Sequence, residues 1–576
     1  MGSIVAQKEG NNTYYVYRET FRVKLDPHND GKKRGTGKSR VCTRAVYLGT
    51  ADKILRCLQE KKEPVSISTR HFGMVAAAYQ TSTELGLQEI LTRHIPGKRA
   101  GIPRWIYFLL SVLNRLDHAT SKNKMGQWVS KTIIPDLLGI DASKLTGNNY
   151  WYAFDHVLSE RVLKLMRQES DLKDDTFAGL PKDVFTDIER DLFKNVDRLM
   201  HLSPSAICYD TTNFYTYIEE PKRSALAHTC HSKASKHHLR HIGLLMAVER
   251  THGVPVLSQI YQANRHDSKV FSCILADLVV ALKDLCGPES DLVIVIDKGN
   301  NSKANFEALS GVISWVGALV PSHHKQLINM DLSEYHGTWR EYRYYRCNKT
   351  IMGIPCVVVL TFSGATKRKK EHSLTRGIGK LKTEIQAKWD GYKKKPSTVP
   401  DGIMTLKRNN EYGNCLELSV VNGEIRIDEL TDNIETRKKS FGKNLVFSNM
   451  TTAETGYLID TYHEKTVIED DFKLLKDNAI IRFTPIRHWT DTKIRAYAFC
   501  CIVALTLMRC MQWKLEQNGY KMAPGLIKEE LSDIREAVLV YSPTEAKRKI
   551  TDRSSVQKKL WEVFKLDEIA KKLLLH

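Results

Sequence analysis

The sequence predicts an α/β core, interrupted by a β-rich insertion and preceded by a β-hairpin and a helical region. Three observations lead there. Two apolar runs each stop at an aspartate, residues 206–209 at Asp210 and residues 292–296 at Asp297, as strands buried on both faces do. Between them lie two further strand-like runs, 243–249 and 254–262, joined by a turn at Thr251-His252-Gly253, and a helical stretch over 268–285. Much later, one short helix places a third acid, Glu469, with Tyr462, Lys465 and Lys476. At about 100° per residue these four side chains share a stripe roughly 60° wide.

Composition bounds the reading. A chain of 576 residues is too long for one hydrophobic core, so three or four domains are expected. Lys and Arg number 87 against 66 Asp and Glu, and the net charge of +21 favours a polyanionic partner. Charge alone does not separate DNA from RNA or a membrane surface. Twelve cysteines without a CxxC pair, and no signal peptide, point to reduced thiols in the cytoplasm. The most apolar stretch, 496–508 between Arg495 and Arg509, falls short of the roughly 20 residues of a membrane span. It reads as a buried core helix.

Residues 1–60 form the hairpin region. Phe21, Val23 and Leu25 alternate with polar residues, and Val41, Ala45 and Tyr47 line the return strand. The loop between them is basic, with Lys32, Lys33, Arg34, Lys38 and Arg40. It contains Gly35-Thr36-Gly37-Lys38-Ser39, which invites comparison with a phosphate-binding loop. That loop needs a glycine five positions before Gly37, where Lys32 stands, and a helix after it. Nucleotide binding there is rejected; the loop either touches DNA phosphates or is simply solvated.

Residues 61–202 read as helical. The stretches 105–116, 128–138, 150–166 and 184–200 repeat apolar residues at three- and four-residue steps, with breaks near Pro96-Gly97, Pro135 and Gly179-Leu180-Pro181. The core follows, 203–324 as its first part and 441–518 as its second. After Asp297, Gly299 permits a turn, Ser302 caps a helix, and 315–320 is one more strand. Three antiparallel strands followed by strand, helix, strand is the order of an RNase H-like fold. A carboxylate just beyond a buried strand is costly unless it is paired or ligates a metal. The plain alternative is an aspartate that caps a turn.

From Asp297 to Glu469 is 172 positions, and about a third of that would complete a bare core at typical element lengths. The remainder, 325–440, is read as the insertion. Its strand-like runs are 338–346, 354–362, 415–421 and 423–427. Its segment 367–395 holds eleven Lys/Arg against three Asp/Glu, and Leu381, Ile385 and Trp389 recur every four residues. That is a helix with one apolar edge and a basic surface. Lys367, Arg368, Lys369 and Lys370 are its candidate contacts to DNA phosphates; a solvated basic face is the alternative. Residues 519–576, rich in Lys and Leu, read as a helical tail for dimerisation or for docking on its own core. His228, Cys230 and His231 lack a second ligand pair at finger-like spacing, so zinc is not expected, and His323-His324 reads as a polar loop.

The acids and the helix stripe together resemble a DDE-type insertion-sequence transposase with an RNase H-like core. The resemblance is to the subgroup marked by Tyr-x2-Arg-x3-Glu-x6-Lys, here Tyr462, Lys465, Glu469 and Lys476 with the spacing intact. Lys465 departs from the family's Arg and loses its bidentate fork. Asp210 matches the first catalytic Asp, and Asp297-Lys298-Gly299 resembles the second motif. The resemblance implies that Asp210, Asp297 and Glu469 are both catalytic and metal-binding. It places Tyr462, Lys465 and Lys476 at DNA, and resembles a family Ser-Lys segment at Ser232 with Lys233, Lys236 and Arg240. Trp339 is a DNA-contact candidate by position, as are Tyr342 and Tyr344. Three clustered carboxylates repel one another unless cations intervene. Two Mg²⁺ ions, or Mn²⁺ as a substitute, are the expected cofactors. The expected partners are double-stranded DNA, as terminal inverted repeats and target, and a second copy of the chain on paired ends. A prokaryotic cytoplasmic, nucleoid-associated setting with no membrane is expected. The other readings are an RNase H-like DNA nuclease without joining, and a non-catalytic DNA-binding derivative.

Overall fold

A computed structural model describes residues 2–10, 12–24, 39–59, 63–95, 97, 101–159, 162, 183–202, 206–219, 224–230, 232, 235–286 and 292–574. The chain divides into two compact units, Met1–Arg70 with Glu536–Thr551, and His71–Arg535 with Asp552–His576.

In the first unit, β1 (Gly2–Glu9), β2 (Asn12–Lys24) and β3 (Ser39–Thr50) form an antiparallel sheet. The expected hairpin is β2–β3, with Phe21 paired to Cys42 and Val23 to Arg40. Strand β1 was not expected. The basic loop with Lys32, Lys33, Arg34 and Lys38 lies outside the described residues. A second sheet takes β4 (Ser66–His71), β16 (Arg535–Ser542) and β17 (Glu545–Ile550) in the order β17-β16-β4. Glu536, 1% exposed, accepts from Arg70 at 2.6 Å and from Arg548, which ties the three strands together. This sheet corrects two readings: 61–202 is not helical throughout, since β4 takes Ser66–His71, and 519–576 contains the β16–β17 hairpin. Val538, Val540 and Tyr541 suit a pleated strand, and Pro543 falls in the turn.

The second unit is built on a nine-stranded sheet. Its members are β5 (Ala206–Thr216), β6 (Arg240–Glu249), β7 (Pro255–Gln262), β8 (Val293–Ile296), β9 (Ser314–Ala318), β10 (Gly337–Trp339), β11 (Tyr342–Ile351), β12 (Ile354–Phe362) and β15 (Lys443–Ser448). They lie in the order β10-β11-β12-β15-β9-β8-β5-β6-β7. β5, β8 and β9 run parallel, and the remaining neighbours are antiparallel. The first five strands and the helix Asp267–Cys286 fall close to where the apolar runs predict them.

One expectation needs correction. The first core strand does not stop at Asp210 but continues to Thr216, paired with β6 throughout. Thr211, Thr212, Phe214 and Tyr215 are β-branched or aromatic and fit the pleated ladder. What ends near Asp210 is its other neighbour, β8.

Of residues 325–440, β10–β12 extend the main sheet, joined to β9 through β15, which follows them in the chain. The run 338–346 is divided by a turn at Arg340, whose φ is +51°. The rest has its own apolar cluster. Leu374, Ile378, Leu381, Ile385 and Trp389 of the basic helix Gly364–Asp390 pack with Ile403, Leu416 and Ile425. The hairpin β13 (Leu416–Val421) and β14 (Glu424–Glu429) belongs to this cluster.

The helix Asp491–Gln517 is long and apolar enough to pass for a span, but 94% of its most apolar window is buried inside the protein. Both arginines that bound its apolar stretch are neutralised within the fold. Arg495, fully buried, donates to Asp183 at 2.8 Å and to Glu189 at 3.5 Å. Asp183 also caps the helix Val184–Met200, and Glu189 accepts from the Ser258 amide of β7 at 2.8 Å. Arg509 Nε donates to the buried Asp471 at 2.8 Å. These bonds join the helical region, the central helix and the sheet.

Candidate active site

The parallel register of β5 and β8 sets the site. Tyr209 and Ile296 are the last Cα partners, so Asp210 and Asp297 follow side by side, one residue further on. Adjacent strands lie about 4.8 Å apart. Asp210 is partly buried, and its Oδ1 accepts from the Thr211 amide at 2.7 Å.

The helical stretch is two helices, not one. Thr455–His463 and Thr466–Lys476 meet at Glu464–Lys465, where the amides of Lys465, Val467 and Ile468 bond three residues back instead of four. No glycine or proline lies between Gly456 and Pro485 to mark the break. Lys465 at this junction reaches across to β8. Its Nζ lies 2.7 Å from Asp297 Oδ1 and 3.6 Å from Glu469 Oε1. Tyr462, Lys465 and Glu469 are thus brought together with Asp297 despite the break.

The electrostatics follow. Burial raises the Asp297 carboxyl, but the Lys465 ammonium outweighs it and holds the group below the ordinary aspartate value. Burial would weaken the Lys465 ammonium, yet the neighbouring Tyr462 phenol and the carboxylates of Asp297 and Asp210 push its pKa up, so it stays charged. Tyr462 is buried, which raises its phenol to about 12, and its hydroxyl shares a hydrogen bond with Asn444. The Lys465 ammonium sits 5.5 Å from the Tyr462 ring centroid. Lys476 Nζ donates to Thr212 Oγ1 at 2.7 Å and lies 5.4 Å from the Phe214 ring centroid, so it anchors the second helix to β5.

The oxygen-only donor set of Asp210, Asp297 and Glu469 is of the kind Mg²⁺ takes. Among the described residues, however, no three His, Cys, Asp or Glu side chains converge as a group that could hold a metal. Between Asp297 and Glu469 stands an ammonium. The acids therefore suit a divalent ion in charge and chemistry, with Lys465 withdrawn.

The other sequence-predicted residues are placed as follows. Lys233 and His231 lie outside the described residues. Lys236 is exposed, and Arg240 donates to the Ala227 carbonyl at 3.0 Å. Next to Arg240, the buried imidazole of His241 is pushed below its usual value by burial, with His237 and Lys476 adding to the effect. His241 Nε2 lies 2.9 Å from Ser232 Oγ, which ties the loop at Ser232 to the strand β6. Trp339 lies on the helix Thr455–His463. Its Nε1 donates to Asp460 at 3.0 Å, and a Cβ at Gly456 would sit 2.7 Å from its ring. Tyr342 stacks on His463 with centroids 4.5 Å apart. Arg368, Lys369 and Lys370 are exposed, and Lys367 pairs with Glu371 at 3.8 Å. Their helix begins after β12, three strand spacings or about 14 Å from β8. Asp460 and His463, which seat Trp339 and Tyr342, were missed; a helical acid and a histidine carry no sequence signal of such contacts.

No family model and no curated protein matches the chain. Among solved structures, it is similar to a piggyBac transposase synaptic complex with hairpin DNA, at 9% identity and a TM-score of 0.37, covering 83% of this chain and 80% of that one. A likeness of that size carries no argument about function.

Proposed function

We propose that the chain is a DDE-type transposase that cuts the ends of a DNA element and joins them to target DNA. One observation carries the reading. Asp210 on β5 and Asp297, which directly follows the parallel strand β8, each come one residue after the last paired positions, and Lys465 ties Asp297 to Glu469 on the helix. The strand order β7-β6-β5-β8-β9, with β5, β8 and β9 parallel, supports an RNase H-like core.

Asp210, Asp297 and Glu469 would hold two Mg²⁺ ions, or Mn²⁺ in their place, which supply charge neutralisation for in-line attack by water or a 3′-hydroxyl on phosphorus. The protein's own side chains do the rest. Lys476, fixed by Thr212, presents an ammonium beside the acids for a DNA phosphate. Lys465, released from Asp297, would serve a second phosphate. Trp339 and Tyr342, seated on the helix that leads into the site, would contact the DNA end, with the exposed basic helix and the Lys236 loop holding the backbone further out. Double-stranded element ends and a second copy of the chain are the partners this reading requires, in a nucleoid-associated setting.

The test uses donor DNA with the repeats that flank the reading frame. Asp210→Asn, Asp297→Asn and Glu469→Gln should each abolish cleavage and joining while circular dichroism and melting stay unchanged. Near-normal cleavage in Mg²⁺ by any one variant removes that residue from the site. Cleavage without joining of a marked 3′ end by the unaltered protein would favour a plain nuclease.

A further inference from the structure

A cavity of about 730 Å³ opens beside the loop that follows the Lys476 helix. That volume is in the range of roughly 300–1,000 Å³ usual for small-molecule sites. Six cations line it, Arg115, Lys122, Lys124, Arg482, Arg487 and Lys493, and among the described residues no carboxylate does. It is separate from the acids. Ile486 beside its wall donates to the Tyr215 carbonyl near the far end of β5, five residues or about 17 Å along the strand from Asp210.

Two of these cations are buried without a counter-ion. Lys122 is 8% exposed, donates to Ser111 Oγ at 2.8 Å, and otherwise faces the rings of Phe154 and Tyr150. Arg115 is 6% exposed and donates only to neutral oxygens, among them Asn114 Oδ1 and the Thr120 carbonyl, both at 2.9 Å. Among the described residues neither forms an ion pair, whereas Arg495 and Arg509 elsewhere in the unit each have a buried carboxylate. A buried cation left unpaired is costly, and an anion entering the cavity would relieve that cost. At the same cavity, Trp151 and Trp489 are large exposed rings, 45% and 53% accessible. Lys493 lies 5.2 Å from the Trp151 ring centroid. Buried cations with exposed tryptophans, in a space far larger than one phosphate, match a ligand with an anionic group and a flat ring.

We propose that this cavity binds a nucleotide, with its phosphate at Arg115 and Lys122 and its base against Trp151 and Trp489. The nucleotide is either free or the unpaired end of a DNA strand; both present the same chemistry. The proposal does not rest on the acidic site, because binding here needs no metal and no cleavage.

The test is equilibrium binding to the full chain without divalent metal, read by tryptophan fluorescence and thermal shift. The probes are dAMP, inorganic phosphate, and a short 5′-phosphorylated single-stranded oligonucleotide. Trp489→Ala removes a ring and no charge, and should weaken nucleotide binding roughly tenfold, within the range of base–aromatic stacking, while leaving phosphate binding unchanged. Lys122→Met should abolish the rise in melting temperature that phosphate and dAMP produce. Binding of dAMP as tight as that of the oligonucleotide identifies a free nucleotide as the ligand. Oligonucleotide binding alone, still sensitive to Trp489→Ala, identifies a strand end. The proposal fails if Trp151→Ala and Trp489→Ala both bind every probe like the parent, or if phosphate stabilises the protein as much as dAMP does.

Discussion

The ammonium of Lys465 lies 2.7 Å from the carboxylate of Asp297, across the gap between a helix junction and the end of β8. It also lies 3.6 Å from Glu469, so one side chain neutralises two of the three acids. A divalent ion and this ammonium would compete for the same oxygens.

The first prediction follows from that competition. Lys465→Gln should tighten Mn²⁺ binding, measured by electron paramagnetic resonance without DNA, by roughly fivefold, the change that about 1 kcal/mol of removed pairing gives. Lys465→Arg keeps the charge and should bind Mn²⁺ much like the parent. Weaker binding by Lys465→Gln would show that the ammonium organises the acids instead of competing for them.

The basic helix Gly364–Asp390 buries its apolar edge in its own cluster and leaves Arg368, Lys369 and Lys370 exposed. Replacing Lys367, Arg368, Lys369 and Lys370 by Gln should weaken DNA binding and flatten its logarithmic salt dependence by about 0.9 for each phosphate that is no longer neutralised. Anisotropy titrations over a salt series read this directly. An unchanged slope means that the four side chains only face solvent.

Arg495 pairs with both Asp183 and Glu189 in the interior. Arg495→Met leaves two carboxylates buried beside an apolar side chain and should cost about 3–5 kcal/mol in urea unfolding. A loss below about 1 kcal/mol, the scale of a surface pair, would show that water reaches these carboxylates.

Burial lowers the Lys122 ammonium to about 8, from 10.5 in an unconstrained lysine. The folded state therefore binds the proton less tightly than the unfolded state. The destabilisation is full below pH 8 and is relieved as pH rises towards 10.5. At one pKa unit per 1.36 kcal/mol its size is on the order of 3 kcal/mol. The difference in unfolding free energy between Lys122→Met and the parent should thus favour the variant at pH 7 and shrink steadily from pH 8 to pH 10. A pH-independent difference would place Lys122 in contact with water.

Much of this was legible in the chain. Short-range pattern located β5, β6, β7, β8, β9 and β12, the helix Val184–Met200 and the apolar edge of the basic helix, because side-chain periodicity within one element reports which face is buried. The residue types and spacing of Tyr462, Lys465, Glu469 and Lys476 were legible, but the break at Glu464–Lys465 that divides them between two helices was not, because no glycine or proline marks it. The end of β5 was not legible. Asp210 interrupts an apolar run, and only the ladder with β6 carries the strand six residues past it. The hairpin in residues 535–550 was also missed, because its residues are stabilised by β4, more than 450 positions away. Sequence alone therefore determined the residue types at the acidic site and most elements that carry them. Tertiary structure alone decided that Lys465 stands between Asp297 and Glu469, and that Arg115 and Lys122 meet Trp151 and Trp489 around one cavity. Such meetings depend on strand register and on burial shared between distant segments, and no local period encodes either.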